Sequence, residues 1–181
     1  DNQLVYAIYK ELIETNTTHS IGDNTLAAEK IGRWLRAAGF PQEDIFIGGK
    51  KEKKGNLVAR LHGTGKYKPF ILLAHLDVVE AKRADWSMDP FTLHETDGYF
   101  YGRGTMDDKA QAAIKTANMI RMKRDGYQPN RDIILALTAY EEGGGSNGVY
   151  WLLQQHPTLI DGVFALNEGG YQCLPKLTFP G

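Results

Sequence analysis

Phe70-Ile71-Leu72-Leu73-Ala74-His75-Leu76-Asp77 is the stretch on which the fold turns. Five apolar residues in unbroken succession suit a strand buried on both faces. They run into an imidazole and a carboxylate two residues apart, which share one side if the chain stays extended. A second run of this kind, Ile133 to Ala139, leads into Tyr140-Glu141-Glu142. Between them, Asp107 or Asp108 opens a segment where Ala110, Ala113, Ile114, Ala117 and Ile120 recur at helical spacing until Gly126. Buried strand, helix and buried strand predict an α/β sheet.

The flanking sequence extends the same alternation. Leu4, Val5, Ile8, Leu12 and Ile13 predict a first helix ending near Thr15. A second starts at Asp23 or Asn24, either of which suits the N-cap, and carries Ile31, Trp34, Leu35 and Ala38 on one face. Gly39 and Pro41 stop it. Strands are expected at Ile45 to Ile47, Leu57 to Leu61, Tyr99 to Tyr101 and Val163 to Leu166. The glycine-rich residues 143 to 148 lead into a helix bearing Val149, Leu152 and Leu153, closed by Pro157. The expected fold is a mixed, largely parallel sheet flanked by helices on both faces.

Bulk properties narrow the function. A chain of 181 residues suits one domain and can bury a core. A formal net charge of -1 gives no reason to expect nucleic acid or an anionic membrane as partner. No apolar run approaches the ~18 residues needed to span a bilayer. The lone Cys173 excludes an internal disulfide framework and leaves the compartment open, cytoplasmic or, if a leader is removed, periplasmic or secreted.

Four ionisable elements fall at strand ends or helix starts: His75-x-Asp77, Asp107 after Gly102-Arg103-Gly104, Glu141-Glu142, and Glu168. In α/β proteins these are the positions where sites are built. Each element alone has a bland reading. His-x-Asp suits a surface pair, Asp107 or Asp108 a plain N-cap, and Glu-Glu a solvated loop. Together they supply an imidazole and several hard oxygens, a set suited to zinc or cobalt rather than calcium. A metal-bound imidazole normally gives its other N–H to an acceptor, a task within reach of Asp77. Adjacent glutamates in an extended segment point to opposite faces, so one can ligate metal while the other takes a proton from water.

The runs Leu72 to Val79, Gly102 to Lys109 and Glu141 to Gly144 resemble the M20 family of metallopeptidases, and Asn167-Glu168-Gly169-Gly170 resembles its Asp-Glu-Gly element. The resemblance implies that His75 and Glu168 bind one zinc, Glu142 the other, and Asp107 bridges both. It implies that Asp77 orients His75 and that Glu141 is the general base, with a cis peptide between Asp107 and Asp108. The implied activity is di-zinc hydrolysis of an amide bond in small peptides or N-acyl amino acids by a metal-bridged hydroxide, with Co2+ a possible substitute. The family includes carboxypeptidases, dipeptidases, aminoacylases and deacylases. Its members are longer, so residues 1–181 would form a single partial catalytic domain. The lid through which the whole protein would form a homodimer, and the end of the catalytic domain with its last histidine ligand, would lie outside it. Tyr140 and Asn167 stand where the family usually has Asp. A non-catalytic metal-binding domain of the same fold and a related di-zinc aminopeptidase are the alternatives.

Other features carry less. His19, His62, His94 and His156 lack carboxylates at ligand spacing. Gly63-Thr64-Gly65-Lys66 fails as a phosphate loop because Tyr67 occupies the hydroxyl position. The basic run Lys50 to Lys54, interrupted by Glu52, reads as a solvated hairpin tip. Trp86, Pro90 and Phe91 suit a pocket rim or an anchor for their loop.

Overall fold

The computed structural model describes residues 2–143, 145 and 147–169; Cys173, Gly170 and two members of the glycine-rich run lie outside them. The elements follow as α1 (Asn2–Ile13), α2 (Asn24–Ala37), β1 (Ile45–Gly48), β2 (Asn56–Leu61), β3 (Tyr67–His75), β4 (His94–Thr96), β5 (Tyr99–Tyr101), α3 (Lys109–Arg124), β6 (Arg131–Thr138), α4 (Gly148–Gln155) and β7 (Ala165–Leu166). Five strands form one sheet in the order β1-β2-β6-β3-β7. The pairs β1/β2 and β2/β6 are antiparallel, while β6/β3 and β3/β7 are parallel. The mixed sheet between helical layers is the architecture that the alternation of runs predicts.

Period-two burial divides the sheet's faces. Leu57, Ala59, Leu135 and Leu137 point towards α1, α2 and α3, joining Ile8, Leu12, Ile31, Leu35, Ala113 and Ile120 in the main core. Val58 and Ile134 point the other way, against Leu152 of α4. Asp23 proves to be the N-cap of α2, its side chain accepting from the Leu26 N–H.

One local expectation needs correction and another gains a partner. The inward face of α3 is Lys109, Ala112, Ala113, Thr116, Ala117 and Ile120, whereas Ile114 is exposed. The stripe begins on a charged residue, which an apolar pattern cannot count. The strand expected at Tyr99 to Tyr101 also has a partner in β4. Asp97 and Gly98 between them both have positive φ, 53° and 78°, the backbone of a two-residue hairpin turn. Asp-Gly between short runs is the signal that identifies it.

Lys109 is wholly buried, and its ammonium donates to the carbonyls of Leu12 at 2.9 Å and Thr15 at 2.8 Å. These carbonyls lie at and just beyond the end of α1, where intrahelical partners run out. Burial pushes the ammonium pKa down to about 7. Lys109→Met would keep the packing but leave the Thr15 carbonyl without its donor, while the Leu12 carbonyl keeps the Thr15 N–H at 3.1 Å. A net loss of about 1 kcal/mol is expected in urea unfolding, since one orphaned carbonyl costs about 1–3 kcal/mol and relief of the buried charge offsets part. A more stable variant would mean that the charge costs more than its bonds return.

Candidate metal centre

The parallel pair β3/β6 brings the two acidic ends of the apolar runs together. His75, the last residue of β3, lies opposite Thr138, the last of β6. The His75 ring is 2% exposed. Its Nε2 faces Asp107 Oδ1 at 2.8 Å, Glu168 Oε1 at 3.7 Å and Glu141 Oε2 at 3.9 Å. Its Nδ1 lies 3.0 Å from the backbone oxygen of Asp77 and 3.5 Å from that residue's carboxylate. The imidazole is thus held from behind, with Nε2 turned towards the acids.

Asp77 has a task that its spacing from His75 does not suggest. Its Oδ1 accepts the Glu141 N–H at 3.1 Å and its Oδ2 the Glu142 N–H at 3.0 Å. Two successive amides converging on one carboxylate form a concave backbone nest. That nest exists because Tyr140 adopts φ +63°, turning the chain out of the strand. The glutamates therefore do not diverge as extended neighbours would. Glu142 joins His75 and Asp107 with donor atoms all within 4.8 Å of one another, while Glu141 reaches towards the same ring.

Asp107 and Asp108 are joined by a cis peptide, as the resemblance implies. Asp107 is exposed towards the His75 ring. Asp108 occupies the N-cap position of α3 but makes no capping bond, so it is not a plain cap. Instead its Oδ2 accepts the backbone N–H of His75 at 3.3 Å, while its buried Oδ1 has no partner among the described residues. Asp108 was not among the candidate ligands, yet with His75 and Glu168 it forms a second set within 4.8 Å. Gly104 fits the turn before Asp107, since it has φ +82° and a Cβ there would come within 2.7 Å of Val78 Cγ1.

The electrostatics match a cation site. Burial works to lower the His75 pKa, but the hydrogen bond and charge of Asp77, with Asp107 and Asp108, hold the imidazolium up at about 10. Burial and then the neighbouring Asp107 raise Glu142, and burial with Asp107 and Glu141 raises Glu168. Burial lifts Asp108 to about 6. So many carboxylates at one imidazole repel one another, and a divalent cation would relieve them. One nitrogen among several oxygens fits zinc.

The remaining candidates lie elsewhere. His62 has carboxylate partners that sequence spacing hides, Asp44 at 2.8 Å and Asp132 at 3.5 Å, on the exposed surface. The Arg103 guanidinium lies 5.2 Å from the Trp86 ring, and the Arg103 N–H donates to the Pro90 carbonyl, so this loop is anchored to the Gly102–Gly104 turn. His19 packs edge-on against Tyr140.

Comparison with known proteins converges on the same segment. The chain is 31% identical to human N-fatty-acyl-amino acid synthase/hydrolase PM20D1 over 166 residues, covering 88% of this chain and 32% of that protein. It is 42% identical to succinyl-diaminopimelate desuccinylase of Roseobacter denitrificans over 99 residues, 54% of this chain and 26% of that one. The chain thus spans a third or less of the length of these relatives. The fold is shared with the M20 family metallo-carboxypeptidase Sso-CP2 from Sulfolobus solfataricus, with TM-score 0.76 and 17% identity over 93% of this chain and 37% of that one. The model of peptidase family M20/M25/M40 matches residues 71–175, a span that takes in His75, Asp107, the glutamate pair and Glu168, and the chain belongs to that family.

Proposed function

We propose that the protein carrying this chain is a di-zinc hydrolase that cleaves the amide bond of a small peptide or an N-acyl amino acid. The observation that carries this reading is the convergence of two donor sets on His75, one with Asp107 and Glu142 and one with Asp108 and Glu168, with Glu141 beside them but outside both. His75 and Glu168 would hold one ion and Glu142 the other, with Asp107 between the two. When bound, such ions lower the pKa of water and polarise a carbonyl. Two relatives, matching 88% and 54% of the chain, are named for N-acylated amino acids, which favours that substrate class.

Glu141 takes the proton as a water oxygen adds to the amide carbon, and returns it to the nitrogen as the C–N bond breaks. Asp77 holds the backbone of both glutamates while its own backbone oxygen and carboxylate orient His75. Asp108 fixes the His75 backbone from below. The test is hydrolysis of N-acyl amino acids and dipeptides by the longer protein before and after chelation. Activity lost to chelator and restored by zinc or cobalt is expected. Hydrolysis indifferent to chelation would refute the proposal.

A further inference from the structure

Position 140 is an unfavourable place for tyrosine. A bulky residue with φ +63° is a backbone outlier, and glycine, asparagine or aspartate would adopt that conformation more readily. Yet Tyr140 is buried. Its ring meets the His19 imidazole edge-on with centroids 4.8 Å apart, and the Lys54 ammonium lies 4.9 Å from its centroid. Lys54 is itself buried, and it donates to the carbonyls of Thr18, His19 and Gly22 at 3.0 to 3.2 Å. The cation is therefore fixed by the loop before α2, and its attraction to the ring is strengthened by exclusion of water.

That loop is tied to the strand end that bears the site. Thr17 Oγ1 donates to the Leu76 carbonyl at 2.7 Å, and Thr18 bridges Val78 in parallel. His19 also lies against the far side of the turn, where a Cβ at Gly143 would come within 2.9 Å of its Nδ1. Ring, imidazole and ammonium thus grip the turn that sends the Glu141 and Glu142 amides to Asp77.

We propose that Tyr140, clamped between His19 and Lys54, is the positioning residue that sets the Glu141–Glu142 pair against the metal centre. It touches no reacting atom and acts through the nest on Asp77. The role rests on the metal-dependent reading of the site, but the clamp can be tested without metal.

The measurement is amide hydrogen exchange in the 181-residue chain, comparing Glu141 and Glu142 with Leu135 in the core of β6. Tyr140→Ala is expected to speed exchange at both glutamates at least tenfold with Leu135 unchanged. Tyr140→Phe, which keeps the ring, should stay within twofold of wild type. His19→Ala, which leaves every proposed ligand in place, should give an intermediate rise. Unchanged rates in Tyr140→Ala and His19→Ala would overturn the proposal, as would a rise equalled at Leu135, which would mean only general loss of stability. Zinc titration completes the test. The dissociation constant should rise at least fivefold in Tyr140→Ala and recover in Tyr140→Phe, and an unaltered affinity in Tyr140→Ala would refute the positioning role. A wild-type chain that binds no zinc would refute the metal reading alone, and the exchange rates would still decide the clamp.

Discussion

Glu141→Gln in the whole protein is expected to lower kcat for an N-acyl amino acid by about 10³-fold, with zinc content at the wild-type value. Glutamine keeps the shape of the side chain and leaves the 3.1 Å backbone bond to Asp77 untouched. It cannot accept and return a proton, so the loss should appear in kcat while KM moves little. Glu141 stands outside both clusters of donor atoms, which is why zinc should remain. Zinc lost in parallel with activity would instead make Glu141 a ligand. Wild-type turnover would remove it from the chemistry altogether.

The second large effect is expected at Asp77. Asp77→Asn keeps the volume but turns an NH2 towards one of the two backbone amides, so donor meets donor where a carboxylate had accepted both. His75 also loses the carboxylate that lies 3.5 Å from its Nδ1 and helps to orient the ring. Zinc affinity should fall about 10–100-fold, the usual cost of removing a group that orients a ligand. Stability should fall as well, by about 1–3 kcal/mol for the unsatisfied donor. Burial would raise the Asp77 pKa, but hydrogen bonds from His75 and from the Glu141 and Glu142 amides outweigh it and hold the carboxyl below its ordinary value. A carboxyl with a depressed folded pKa stabilises the fold above its unfolded pKa of about 4, and that stability disappears as pH falls through the folded value. The melting temperatures of wild type and Asp77→Asn in the metal-free state should therefore differ at pH 7 and converge in acid. A difference independent of pH would show that packing, not charge, is what Asp77 supplies.

Much of this centre was legible because strands and ligands share a simple grammar. The apolar runs at Phe70 and Ile133 end on the acids and imidazole, and parallel pairing of buried strands brings their ends to one edge. His75 and the glutamate pair could be picked out in that way, whereas the choice of Asp107, Glu142 and Glu168 as ligands came from the resemblance to the M20 family. What escaped is chemistry that depends on turns and burial. Nothing in Tyr140-Glu141-Glu142 signals a left-handed residue, so extended geometry wrongly sent the two glutamates apart. Lys109 and Lys54 are charged residues in buried places, and their partners are backbone carbonyls. A pattern of side-chain polarity contains no record of such partners. Ile114 was misplaced for the same reason, because the stripe that excludes it begins at Lys109. Asp108 was read only as a candidate N-cap because its bond to the His75 amide connects residues 33 apart.

Zinc per folded chain, by elemental analysis after loading and desalting, decides whether these side chains hold metal. At least one tightly held ion is expected in the 181-residue protein, approaching two if the ligands on this chain suffice for both, and none in His75→Ala. A chain that keeps its fold and holds no zinc would contradict the metal reading.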